Sequence, residues 1–143
     1  MKSAYPYLNF NGNTEEVFNF YEKVFGVENS FKLRYGDMDD KTMPIDEKDQ
    51  NKIAHVTLPL GNTNLMGSDV LEAFGPPVSL GNNFSITLAP DSADEAEKVF
   101  KGLSEGGKVL MPLQKEFWAE KYGMCVDKFG VQWMINYEGN VEL

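Results

Sequence analysis

The stretch that organises this fold is Tyr122-Gly-Met-Cys-Val-Asp-Lys-Phe-Gly-Val-Gln-Trp-Met-Ile-Asn-Tyr137. It predicts two strands joined by a tight turn at Lys128 to Gly130, because glycine can adopt the positive φ that a short hairpin loop with a bulge requires. After the turn, Val131, Trp133 and Ile135 alternate with polar residues and methionine, so this strand should have two different faces. One face suits a core and the other suits a cleft.

Composition narrows the class of protein. The chain has 143 residues, of which 42% are hydrophobic, which is enough for one domain or for two half-size modules that share a core. Its formal net charge of −9 argues against nucleic acid and against an anionic membrane surface as partners. No segment has the apolar length of a membrane span or the pattern of a signal peptide, so we expect a cytoplasmic protein.

The single cysteine, Cys125, excludes an intrachain disulfide. It follows Met124 in the predicted strand and should face a helix beside Trp133. We interpret it as a buried thiol rather than a nucleophile, since no cationic side chain is evidently placed to lower its pKa.

The order of elements is the same in the two halves of the chain. Each half predicts a strand, a capped helix and then further strands, with helices over Thr14–Phe25 and Ala93–Ser104. A shift of eighty residues aligns Leu8, Glu15, Phe20 and Gly26 with Leu88, Glu95, Phe100 and Gly106. We therefore predict a first module over residues 1–69, a linker over 70–82 and a second module over 83–143.

The middle of the first half predicts a hairpin. Gly61-Asn62 is a two-residue turn signal between the strands Lys52 to Leu60 and Thr63 to Asp69. This turn sets Thr57 opposite Met66 and His55 opposite Ser68 on one face. The core face should then hold Ala54, Val56 and Leu58. Before this hairpin, Gly36–Asn51 is rich in aspartate and poor in apolar residues, which predicts an exposed, mobile connection or a lid.

Several short motifs together resemble one family. They are Pro6-Tyr-Leu-Asn-Phe10, Asn19-Phe-Tyr-Glu-Lys-Val-Phe-Gly26, Lys52-Ile-Ala-His55, Met111-Pro-Leu-Gln114, Phe117-Trp118 and Asp127-Lys-Phe-Gly-Val-Gln-Trp133. Over nearly its whole length the chain resembles the vicinal oxygen chelate superfamily of glyoxalase, bleomycin-resistance and ring-cleaving dioxygenase proteins, and within it the PhnB-like branch. The resemblance implies an α+β fold of two βαβββ modules, whose paired mixed sheets form a cleft, and a homodimer.

The same resemblance implies four metal-ligand positions, which here hold Tyr5, Met66, Ser85 and Met134. Metals of the zinc, iron, manganese and nickel type want imidazole or carboxylate ligands, and none of the four residues supplies one. We therefore expect no metal and no cofactor. Members of the branch often carry the label of ubiquinone-pathway methyltransferases, but we find no glycine-rich loop between a strand and a helix that could hold a nucleotide-like cofactor.

The function that we expect is the binding of a small apolar or aromatic molecule in the cleft between the sheets, as in bleomycin-resistance relatives. Alternation sets the candidate residues opposite the core face, which favours an apolar pocket with a few polar anchors. The candidate ligand-binding residues are Tyr5, Tyr7, His55, Met66, Ser68, Ser85, Gln114, Trp118 and Met134.

His55 leaves an alternative open, because it is the single histidine of the chain. It is either a polar residue bonded to a neighbour such as Ser68 or a general base, since imidazole titrates near neutral pH. The second interpretation predicts an enzyme, and a metal-dependent lyase or dioxygenase using His55 is its strongest form. A third possibility is a structural dimer with an empty cavity.

Overall fold

The computed structural model describes residues 1–38 and 42–142, and they fall into two compact units. The first unit is Met1–Ser79, and the second starts at Leu80 and runs to the C-terminus. The predicted module and linker boundaries, which are finer than this division, stay a prediction. No helix in the described part of the chain combines the length and the apolar character that a membrane crossing needs.

The first unit is a four-stranded mixed sheet with one α-helix. In chain order its elements are β1 (Tyr7–Phe10), α1 (Thr14–Phe25), β2 (Phe31–Arg34), β3 (Ile53–Leu60) and β4 (Thr63–Asp69). The strands lie in the order β1-β4-β3-β2, with β1 parallel to β4 and the other neighbours antiparallel. This arrangement is the predicted βαβββ module.

The second unit repeats this topology. Its elements are β5 (Ile86–Leu88), α2 (Ala93–Ser104), β6 (Lys108–Glu116), β7 (Ala119–Val126) and β8 (Gln132–Tyr137). The strand order is β5-β8-β7-β6, again with one parallel pair, β5 and β8. The α+β fold with two βαβββ modules is therefore confirmed, and both helices have the predicted bounds.

Each helix packs on one side of its own sheet at a glycine. A Cβ atom on Gly67 of β4 would lie 2.7 Å from the ring of Phe18, and one on Gly123 of β7 would lie 3.0 Å from the ring of Phe100. Real Cβ atoms do not approach a neighbour as closely as 2.7 Å, so at Gly67 the close contact between helix and sheet requires glycine. The helix side of each sheet is thereby the core side.

The turn of the β7–β8 hairpin is as predicted. Gly130 has φ of +91°, and its N–H donates to the carbonyl oxygen of Asp127 at 3.0 Å. The carboxylate of Asp127 also accepts hydrogen bonds from the backbone of Phe129 and Val131 and from the indole nitrogen of Trp133, at 2.9 to 3.1 Å. A buried aspartate therefore ties the turn to the largest side chain of the second core.

β6 is the most irregular strand. It ends its sheet in the strand order, and its pairing with β7 shifts register at three places between Val109 and Glu116. Pro112 lies inside it and has no N–H to donate. Val109 and Leu110 are 45% and 44% exposed.

One aspartate holds the first unit together. The carboxylate of Asp69 is buried and accepts hydrogen bonds from the backbone N–H of Gly12, Thr14 and Ile53 and from the Thr14 hydroxyl, at 2.6 to 3.0 Å. Asn13 occupies the N-cap position of α1, but its side chain makes no cap hydrogen bond, and the carboxylate of Asp69 takes over that role.

A bulge at Ala54 corrects the predicted core face of β3. Leu33 pairs with His55, but the next residue, Arg34, pairs with Ile53, so the ladder skips Ala54. Ile53 is consequently buried in place of Ala54, whereas Val56 and Leu58 face the core as predicted.

The segment Gly36–Asn51 is more structured than its composition suggested. Its described residues include a 3-10 turn at Glu47–Asp49, and the N–H of Gly36 donates to the carbonyl oxygen of Gln50 at 2.8 Å. The prediction of exposure is wrong at Asp49, which is buried and pairs with Lys52 at 2.7 Å. Residues 39–41 lie outside the described residues, and the mobility and lid role of this segment stay predictions.

An ion pair joins α1 to the strand at the end of the sheet. The guanidinium of Arg34 contacts both carboxylate oxygens of Glu15, and Lys32 adds a third contact at 3.2 Å. The hydrogen bonds from Arg34 lower the pKa of Glu15. Because the two side chains are about one-third exposed, the ion pair adds little to the free energy of unfolding and mainly orients α1 relative to β2.

We expect the substitution Asp69→Ala to lower the free energy of unfolding by about 3–5 kcal/mol, because it leaves several buried donors without an acceptor. Urea denaturation followed by circular dichroism measures the loss. The matched control is Asp46→Ala, which removes an exposed aspartate of the same unit and should cost less than about 0.5 kcal/mol. Equal effects of the two substitutions would contradict the role of Asp69.

Candidate ligand-binding faces

The sheet of the first unit has a face that points away from α1. Its residues alternate with those that pack under the helix, and cross-strand pairs place them side by side. We call this surface the first face; one row across the strands holds Tyr7, Met66, Thr57 and Phe31, and a second row holds Asn9, Ser68, His55 and Leu33.

The first face is uncharged. The chain contains 13 basic and 22 acidic residues, yet no Asp, Glu, Lys or Arg belongs to either row. The charged residues of β2, Lys32 and Arg34, lie on the helix side of the sheet and bond to Glu15. The face therefore suits an uncharged molecule, since a buried ion without a partner is costly.

A chain of three polar side chains runs across the first face. The Tyr7 hydroxyl lies 3.1 Å from Nδ1 of His55, and Nε2 of His55 lies 2.8 Å from the Thr57 hydroxyl. Both ring nitrogens of His55 are therefore in use. The partners differ from the predicted one, Ser68, because Tyr7 reaches over β4 from the neighbouring strand.

Aromatic rings flank this chain. The centroid of the His55 ring lies 5.6 Å from that of Tyr7 and 5.9 Å from that of Phe31. Tyr7 and Phe31 are 41% and 52% exposed, which is unusual for large rings that could pack in a core. Rings held in place at a surface offer contact area at low entropic cost.

The second sheet has a corresponding face, which we call the second face. Cross-strand pairs place Thr87, Met134, Met124 and Met111 in one row and Asn136, Tyr122 and Gln114 in another. The Thr87 hydroxyl donates to the sulfur of Met134 at 3.7 Å. A row of three adjacent methionines makes an apolar surface that can adapt to the shape of a ligand.

An aromatic cluster stands at the end of the β6–β7 hairpin. Trp118 meets Phe117 and Tyr122 edge to face, with ring centroids 4.8 and 5.2 Å apart. Its indole nitrogen donates to the side-chain oxygen of Asn136 at 3.1 Å. This bond holds Trp118 against the second face, whereas Phe117 is 78% exposed.

The residues at the expected metal positions do not fit a metal of the zinc or iron type. Tyr5, Met66, Ser85 and Met134 offer a phenol, a hydroxyl and two thioethers, and Met134 already accepts a hydrogen bond. Among residues 1–38 and 42–142, no three His, Cys, Asp or Glu side chains come close enough together to hold an ion.

A groove of about 780 Å³ lies elsewhere on the first unit, between the end of α1 and β2. Its lining includes Glu22, Lys23, Glu28 and Lys32, so it is mixed in charge where the first face is neutral. Phe31 borders it. We base the candidate site on the first face, because there the hydrogen-bonding groups and the rings converge.

Comparison with known proteins places the chain in a family. A family model described as 3-demethylubiquinone-9 3-methyltransferase matches residues 2–136. Protein YjdN of Escherichia coli K12 is 30% identical over 138 residues, which cover 92% of each chain. The PhnB protein of Bacillus cereus is 26% identical, covers 95% of this chain and 99% of its own, and has a TM-score of 0.74. The chain belongs to the family of 3-demethylubiquinone-9 3-methyltransferase-like, PhnB-like proteins.

This PhnB-like protein is also similar to PA1353 of Pseudomonas aeruginosa. The two sequences are 41% identical, the match covers 96% of this chain and 98% of PA1353, and the TM-score is 0.84. The fold expected from the resemblance is thus confirmed, while the ligand-binding residues stay a prediction.

The faces bring together most of the predicted residues in two separate groups. Tyr7, His55, Met66 and Ser68 lie on the first face. Met134 lies on the second face, and Ser85 precedes β5 in the same alternation as Thr87. Trp118 and Gln114 belong to the hairpin β6–β7, where the Gln114 amide donates to Glu116 at 3.1 Å. Tyr5 precedes β1 and is 47% exposed.

Several residues of the two faces were missing from the predicted set. Among them are Phe31 and Thr57 on the first face and Tyr122 and Asn136 on the second. Alternation along each strand was enough to find Thr57, Tyr122 and Asn136. Phe31 required the pairing of β2 with β3, which sequence patterns do not provide.

Cys125 is not part of either face. It pairs with Trp133 on the helix side, is fully buried, and burial followed by the charge of Asp127 raises its pKa to about 11. The predicted buried thiol is confirmed.

We expect Cys125 of the native protein to resist modification at pH 8, since both its burial and its raised pKa keep the reactive thiolate away from reagents. The colour change of Ellman's reagent measures the rate. Protein unfolded in guanidinium is the control and should react quickly and completely. Fast reaction of the folded protein would contradict the burial.

Proposed function

We propose that this PhnB-like protein binds a small, uncharged, aromatic or otherwise apolar molecule without the help of a metal. The hydrogen-bonded chain of Tyr7, His55 and Thr57 between exposed rings is the observation that carries the proposal. It combines apolar contact area with a few polar groups of fixed direction, as small-molecule sites do.

The second face supports the same class of ligand. Its methionine row is soft and apolar, and thioether sulfur makes favourable contacts with aromatic rings. Trp118 and Tyr122 add two rings, and Asn136 fixes Trp118 by a hydrogen bond. Each face therefore offers aromatic contact with polar side chains close by.

A metal-dependent reaction at His55 is the weaker alternative. An ion on His55 would have to displace Tyr7 or Thr57 from a ring nitrogen. The remaining side chains of the first face could offer it hydroxyl, amide or thioether groups and no anion, which does not offset the loss of bound water from a divalent cation. Acid–base chemistry at His55 without a metal is compatible with the geometry, but it requires a substrate that the binding experiment must first identify.

We expect small aromatic compounds to raise the melting temperature of the wild-type protein and to do so less in the variant His55→Ala. Binding to the native state stabilises it by about 2.7 kcal/mol when the ligand is present at 100 times its Kd. Lys98→Ala, which changes an exposed residue of α2, is the control and should respond like wild type.

The same preparations test the metal. Protein purified without an affinity tag from cells supplied with zinc, nickel, iron and manganese should contain no stoichiometric metal by elemental analysis. A metal present at one per chain in wild type and lost in His55→Ala would overturn the metal-free proposal and favour the enzyme.

We also propose that the protein is a homodimer, as the family resemblance implies. The consecutive exposed residues Val109 and Leu110 of β6 support a contact between copies, because neighbouring apolar side chains at a surface often mark an interface. We expect light scattering at micromolar concentration to give twice the chain mass of 16.1 kDa. A mass of one chain would sink this proposal.

A further inference from the structure

We propose that His55 acts as an adaptor that lets the first face bind aromatic molecules carrying either a hydroxyl or a carbonyl group, with the Tyr7 hydroxyl as the contact. This role rests on the proposed function. It adds the chemical class of the ligand and the residue that contacts its polar group. It assigns the imidazole a positioning role, since the ring nitrogens contact Tyr7 and Thr57.

The chain of hydrogen bonds can run in two directions. A neutral imidazole has one N–H donor and one acceptor nitrogen, and each hydroxyl can donate or accept. When Nε2 carries the proton, it donates to Thr57, and Nδ1 accepts from the Tyr7 hydroxyl. When Nδ1 carries the proton, it donates to the Tyr7 oxygen, and Nε2 accepts from Thr57. Both directions satisfy every member at the observed distances of 3.1 and 2.8 Å.

The direction decides what Tyr7 offers to a ligand. With the proton on Nε2, the Tyr7 O–H points to His55 and its oxygen is left to accept from a ligand hydroxyl. With the proton on Nδ1, the Tyr7 O–H is free to donate to a ligand carbonyl. One hydroxyl can therefore serve both ligand types, because the proton on His55 moves to the other nitrogen.

Tyr7 is the end of the chain at which a ligand can bind. It is 41% exposed and lies on β1, the strand that ends the sheet, whereas Thr57 lies on an inner strand. The rings of Tyr7 and Phe31 stand on either side of His55 and supply contact for a planar molecule. The nearby Tyr35 does not compete, because its hydroxyl donates to the carbonyl oxygen of Asp69 at 2.7 Å.

Carboxylates should be rejected by the same face. Neither of its rows contains a cation, so a bound anion would lose its water without gaining a charged partner. The expected ligand is thus a phenol, an alcohol or a ketone on an aromatic frame, and the corresponding acid should bind much less tightly.

Nitrogen-15 NMR can test the adaptor, because His55 is the only histidine and both ring signals must belong to it. The couplings of each nitrogen to the ring protons then tell Nδ1 from Nε2. We would titrate the protein with 2-naphthol, 2-acetonaphthone and 2-naphthoate. The naphthol and the ketone should both bind, the first favouring the proton on Nε2 and the second favouring it on Nδ1. Naphthoate should bind at least about tenfold more weakly.

Two tyrosine variants separate a direct role from a structural one. Tyr7→Phe keeps the ring and removes the contact, so it should weaken both neutral ligands about tenfold and abolish the difference between their nitrogen signals. Tyr137→Phe, on the helix side of β8, is the matched control and should bind like wild type.

The contradicting results distinguish failure of the adaptor from failure of the proposed function. Binding of both neutral compounds with one unchanged position of the proton, or unchanged binding by Tyr7→Phe, would overturn the adaptor and leave the proposed function standing. Failure of both compounds to bind wild type would overturn the adaptor together with the proposed function.

Discussion

The carboxylate of Asp69 accepts hydrogen bonds from two separate parts of the first unit, the loop that starts α1 and the first residue of β3. The backbone oxygen of Asp69 also accepts a hydrogen bond from the hydroxyl of Tyr35, the residue that follows β2. Because Asp69 ends β4, these bonds tie the helix and three strands to one point in the core. Hydrogen bonds to a charged group are stronger than those between neutral groups, so this point sets the geometry of the first face. The second unit uses Asp127 in a comparable way at its hairpin turn.

Much of the fold could be predicted from local sequence patterns. The glycine at φ of +91° in the last hairpin, the bounds of both helices and the burial of Cys125 all follow from residues close in the chain. The features that were missed depend on partners far apart in the chain. Asp69 reaches Thr14 across 55 positions, and Tyr7 reaches His55 across 48. The bulge at Ala54 also has no local sign, since alternation alone continues through it.

The same contrast between local patterns and distant contacts applies to the candidate site. Alternation placed Tyr7, His55 and Met66 on one face, but it could not say that both nitrogens of His55 would be occupied. That fact changes the chemistry expected of the residue. A histidine with a free nitrogen is a candidate ligand or base, whereas one held between two hydroxyls orients its neighbours. In a chain with a net charge of −9, both rows of this face lack charged residues, so the candidate site differs in charge from the rest of the chain.

The irregularity of β6 has a consequence for the behaviour of the protein in a crowded solution. A strand at the end of a sheet, with exposed valine and leucine, is a template on which strands of other chains can add and grow into aggregates. Three register shifts and a proline interrupt the regular spacing of donors and acceptors that such growth needs. The strand can therefore keep Val109 and Leu110 at the surface while its backbone resists open-ended self-assembly.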